Sequence, residues 1–130
     1  MCSDFIILYI DKKNLNNNIY SKEVVDEMID ECKNKTIYGK IGMCDSPNID
    51  LSEVSHVVTN LRIEKDMVIG TVSIIENKNG NGLKKMLKNQ SVVFRTQGEA
   101  NITGSGEIDS FKLLSINVID KKEDAFGEKK

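Results

Sequence analysis

The sequence predicts an α+β fold in which a largely antiparallel sheet carries two helices. Runs of strand length, rich in Ile and Val, recur along the chain. Two shorter stretches instead repeat apolar residues at helical spacing. Several strand-like runs are joined by tight turns, which only antiparallel neighbours can use. A chain of 130 residues is expected to fold around one core. The expected organisation is a single α+β domain over residues 1–119 and a charged, fraying C-terminal tail over residues 120–130.

In chain order, residues 5–10 form a continuous apolar run and read as a buried strand. Residues 11–18 are a polar, turn-forming loop. Ser21 offers an N-cap, and Val24, Val25, Met28, Ile29 and Cys32 share one face of a helix expected over about residues 21–33. Its acids, Asp26, Glu27, Asp30 and Glu31, belong to the solvated face. Residues 37–43 are a weaker strand, interrupted by Gly39 and Gly42, and a loop follows with the only proline, Pro47. Residues 54–63 and 67–75 form a hairpin about the turn at 64–66. Residues 77–82 read as a flexible loop, after which Leu83, Met86 and Leu87 give a short helix over about residues 82–89. The last strands cover residues 91–102 and 107–119. The expected order is β-α-β-β-β-α-β-β.

Composition narrows the function. The formal net charge is −2 and acids and bases are mixed along the chain, so a dedicated nucleic-acid surface is not expected. No apolar run approaches a bilayer span, and the first residues lack the basic stretch of a secretory leader. Cys2, Cys32 and Cys44 are an odd set without paired spacing and read as free thiols of a reducing compartment. With one histidine and no phosphate-cradling glycine motif, no metal and no cofactor is expected. Gly98, Gly104 and Gly106 are assigned to bulges and turns.

That one histidine, His56, lies in the apolar stretch Val54-Ser-His-Val-Val58. It shares an alternation class with Val54 and Val58, as a packed strand residue would. It is also the only side chain able to serve as an imidazole base.

Four segments carry a likeness to a known family: Asn16-Asn-Asn-Ile-Tyr-Ser-Lys-Glu-Val24, Gly42-Met-Cys-Asp-Ser-Pro47, Gly82-Leu-Lys-Lys-Met-Leu-Lys88 running into Val92-Val-Phe-Arg-Thr-Gln-Gly98, and Asp109 to Asp120 with the echo Asp124-Ala-Phe126. In this order the chain resembles the prohead (capsid-maturation) proteases of tailed phages, which are assemblin-like. The resemblance spans roughly residues 14–126 and implies a β-barrel-like sheet with two helices. It also implies a histidine base in the slot before Pro47 and a serine nucleophile in the strand of Phe94 to Gly98. Here those slots hold Ser46, and Arg95 with Thr96. A serine hydroxyl is far too weak a base at neutral pH, and an arginine is no nucleophile. Thr96 would need an adjacent base. The third, orienting residue falls near Asn117 or Asp120.

No catalytic residue is therefore expected. The expected function is that of a catalytically degenerate relative acting as a structural or assembly protein, associated with the capsid or virion. Its partners would be phage capsid or scaffold proteins, with self-association left open and neither nucleic acid nor membrane involved. Its place would be the host cytoplasm during assembly, and the virion. An active peptidase with a rearranged site, Thr96 or Cys44 served by His56, is one alternative; an unrelated small binding domain is the other. Arg95 itself could pair with Asp45, bind a partner's carboxylate or simply face solvent. Asp45 and Ser46 read as turn residues before Pro47, and Cys44 as a loop thiol or small buried hydrophobe.

Overall fold

In the computed structural model, which describes residues 2–43 and 49–126, the chain builds two sheets that lean together over a shared core. The strands are β1 (Cys2–Tyr9), β2 (Ile19–Tyr20), β3 (Ile37–Lys40), β4 (Val54–Glu64), β5 (Met67–Ile74), β6 (Val92–Ile102) and β7 (Glu107–Asp120); the helices are α1 (Lys22–Glu31) and α2 (Lys78–Lys88). One sheet has the order β1-β5-β4-β3 and is antiparallel throughout. The other has the order β2-β7-β6, with β2 parallel to β7 and β6 antiparallel to it. The α+β class, the two helices and the mainly antiparallel pairing agree with the sequence reading. The added strand is β2: two residues are too short to show any periodicity.

Alternation along the strands fills the space between the sheets. Val58 faces Val72 across β4 and β5, and both are buried. Ile7, Leu8, Phe94, Ile116 and Val118 join them in one cluster with Val25 and Met28 of α1 and Leu83 of α2. α1 starts where the sequence places it, because the Ser21 hydroxyl accepts the Val24 N–H at 3.3 Å.

α2 starts earlier than expected. Residues 78–82, expected as the end of a flexible loop, are its first turns. Asn77 caps it, accepting the Gly80 N–H at 2.7 Å. The glycines that read as breakers are tolerated for packing reasons. A Cβ on Gly80 would collide with the Ile75 carbonyl oxygen, so glycine lets the helix start lie directly on the end of β5.

The C-terminal segment is also more ordered than expected. Asp120 caps a turn of 3₁₀ helix over Lys121–Glu123, accepting the Lys122 N–H at 2.9 Å. Asp124 and Phe126 beyond it are buried. The expected tail does not fray through residue 126: the Asp124 carboxylate and the Phe126 ring are buried, and the Leu15 N–H donates to the Ala125 carbonyl at 2.7 Å. The charge of the whole stretch conceals both.

Where the two sheets meet, the seams differ. At one, β3 reaches β7 through an isolated parallel bridge between Ile41 and Val118, and the Gly42 N–H donates to the Val118 carbonyl at 2.7 Å. At the other, β1 and β6 are the last strands of their sheets and do not pair. They touch through side chains, with the rings of Phe5 and Phe94 centred 4.6 Å apart. The result is barrel-like without being a closed barrel.

Candidate functional site

His56 stands on β4, opposite Gly39 of β3. Its side chain is fully buried, and both ring nitrogens are engaged. Nδ1 lies 2.7 Å from the Ser55 hydroxyl and Nε2 lies 2.7 Å from the Ile116 carbonyl oxygen on β7. A carbonyl can only accept, so Nε2 carries the proton and Nδ1 accepts from Ser55. The ring also meets Phe94 edge-on, with centroids 5.1 Å apart. Gly39 makes this crossing possible: a Cβ there would collide with both Nε2 and the Ile116 oxygen. His56 therefore ties the four-stranded sheet to β7 across the bridged seam.

A hydroxyl, an imidazole and an acceptor in series is also the layout of an activated serine. Here Ser55 and His56 are both wholly inaccessible, so no acyl group can approach the hydroxyl. Burial pushes the His56 pKa below its usual value, partly offset by the bond to Ile116. The neutral ring is thus the form this site stabilises.

Arg95, in one of the nucleophile slots implied by the resemblance, serves the other seam. It is buried and pairs with Asp124 in fork geometry, Nε to Oδ1 and Nη2 to Oδ2, both at 2.8 Å. Nη1 donates to the carbonyl of Ile6 on β1 at 2.9 Å and to that of Phe94 at 2.7 Å. The guanidinium lies near the rings of Tyr9 and Phe126, at 5.9 and 5.8 Å from their centroids. One side chain thus joins β1, β6 and the C-terminal segment. The solvent-facing reading of Arg95 does not hold. Its carboxylate partner Asp124 went unrecognised in the sequence, because pairing across 29 positions leaves no local signal.

Thr96, in the second slot, is half-buried and hydrogen-bonds to Tyr20. Burial raises the Tyr20 pKa, and the Thr96 bond offsets part of that rise. Because both nitrogens of His56 are held by other partners, the ring is not aimed at Thr96. Asn117, one candidate for the third position, is fully buried. It accepts the Lys40 N–H at 3.2 Å and donates to Gln97 at 2.7 Å. Asp120, the other, caps the 3₁₀ turn at the far end of β7. Ser46, Cys44, Asp45 and Pro47 lie outside the described residues. Cys32 ends α1, and partial burial is the main reason its thiol pKa is raised. Among the described residues no three His, Cys, Asp or Glu side chains gather as a metal site requires, and no helix is long and apolar enough to cross a membrane.

No family model and no curated protein sequence matches the chain. Among solved structures, the fold matches that of the capsid assembly protease of bacteriophage T4, with a TM-score of 0.74 over 90% of this chain and 79% of that one, at 18% identity. At that identity the likeness shows the fold.

Proposed function

We propose that this chain is a non-catalytic relative of phage capsid assembly proteases that uses the fold as a structural or assembly module. It would act on phage capsid or scaffold proteins by binding them, in the host cytoplasm during assembly or in the virion. The observation that carries the reading is the state of the single histidine, buried with both nitrogens engaged between two sheets. A peptidase of the serine–imidazole kind needs a ring that can take a proton from an accessible nucleophile and return it to a leaving group. Arg95, in a nucleophile slot, supports the same reading, since its donors are engaged by Asp124 and two carbonyls.

The test is to incubate the purified protein with the scaffold and capsid proteins encoded beside it and to follow the products by mass spectrometry. The expected result is association without cleavage. Specific cleavage that disappears in Thr96→Ala would sink the reading. Thr96 is half-buried, so that variant should fold, and circular dichroism checks that it does.

A further inference from the structure

The unpaired seam between β1 and β6 opens into a groove of about 1120 Å³. Phe5, Tyr9, Val93 and Phe126 give it an apolar lining, and Lys12, Lys121 and Lys122 also line it. Two acids line it as well, but each is already committed. Asp4 accepts from Arg62 at 2.7 Å and from Thr71 at 2.8 Å, and Asp124 is held by Arg95. Lys12 and Lys121 donate to the carbonyls of Phe126 and Gln90, at 3.3 and 3.2 Å, contacts that leave their charge unneutralised, so the lining is positive in sum.

The strand edge facing the groove carries further information. The carbonyls of Ile116 and Val118 on β7 point towards β3 and β4, where they accept from His56 and from Gly42. In an antiparallel pair, residues whose backbone groups point away from each other alternate with residues that exchange both bonds. Thr96 and Phe94, opposite Ile116 and Val118, therefore turn their own N–H and C=O away from β7, towards the seam. Val92, two residues earlier, does the same by the period of the strand. Among the described residues no strand pairs with this edge of β6, and Arg95 occupies the Phe94 carbonyl in its middle.

We propose that this groove binds an extended, acidic segment of a partner protein, which adds main-chain hydrogen bonds at the Val92 end of β6 and places carboxylates near Lys12, Lys121 and Lys122. Free edge groups supply affinity for a backbone, and alternate side chains of the segment meet the apolar lining and the lysines. Nucleic acid is the less favoured occupant: it has no strand edge to offer, and three lysines are a short track for a phosphate backbone. The inference rests on the reading of the chain as a binding module and names the chemistry of its partner.

The experiment measures fluorescence anisotropy of labelled acetyl-Glu-Val-Glu-Leu-Glu-Val-amide with the wild-type chain, with a Lys121→Glu/Lys122→Glu variant, and with a Lys112→Glu control on the far side of β7. The expected result is saturable binding by wild type and control and at least tenfold weaker binding by the double variant. The counterpart peptide with lysine for glutamate should not bind. Equal binding by all three proteins, no binding by any, or full competition by a single-stranded oligothymidylate would overturn the inference. Failure here leaves the absence of cleavage, and with it the non-catalytic reading, standing on its own assay.

Discussion

An imidazole can act as a base only when one nitrogen is left to accept a proton from a group that reacts. In His56 the acceptor nitrogen faces a hydroxyl no substrate reaches, and the other nitrogen holds a carbonyl of the opposite sheet. Its pKa is lowered by burial, so the folded state binds fewer protons than the unfolded chain near the unfolded value of about 6.5. The contribution of His56 to stability is therefore fully present above that value and is lost as pH falls through the folded-state value. The stability of the wild type to urea should fall more steeply than that of His56→Leu as pH drops below about 6.5. Equal slopes would show that the ring does not couple to folding. At pH 7 the same variant should cost about 1–3 kcal/mol, because the Ile116 carbonyl is left buried without its donor. The strand position of His56 and its packed face were legible from alternation with Val54 and Val58. The carbonyl it reaches was not, because that contact spans 60 residues and depends on a missing Cβ at Gly39.

At the scale of elements, the long strands and α1 could be read because periodicity and an N-cap agree there. α2 was read late, because Asn and Gly at its start carry turn propensity that packing on Ile75 overrides. Gly80→Ala sets two effects against each other. Alanine favours the helix by roughly 1 kcal/mol, but its methyl collides with backbone rather than with a movable side chain. The clash should win, with a net loss of about 1–3 kcal/mol by chemical denaturation; a more stable variant would mean that the start of α2 can lift from β5. The C-terminal segment was hidden by its charge, because the buried side chains of Asp124 and Phe126 leave no periodic signal there. Asp124→Leu strands a buried guanidinium and should cost about 3–5 kcal/mol, and Arg95→Met strands the carboxylate at a similar cost, whereas the two together should cost much less. Additive losses in that double-mutant cycle would mean that the pair is not coupled.

Across the whole molecule, the barrel-like body is two sheets held at two seams, and polar side chains cross both: His56 and Asn117 at the bridged seam and Arg95 at the other. His56 works where β3 and β7 bridge, and Arg95 works where β1 and β6 stay unpaired. The family slots drew attention to Arg95 for its chemistry, yet its contacts are those of a residue that holds three parts of the chain together. In this fold the single imidazole is bound by structural partners on both of its nitrogens. On the proposed reading as a binding module, the groove beside Arg95 is the surface offered to a partner. The most direct test is the state of the His56 ring, read by nitrogen-15 NMR of the imidazole across a pH titration. The expected spectrum of the folded protein shows one neutral tautomer with the proton on Nε2, and a titration midpoint displaced below the ordinary value of about 6.5. A ring that titrates near its ordinary value of about 6.5 in the folded protein, or exchanges between tautomers, would contradict the account.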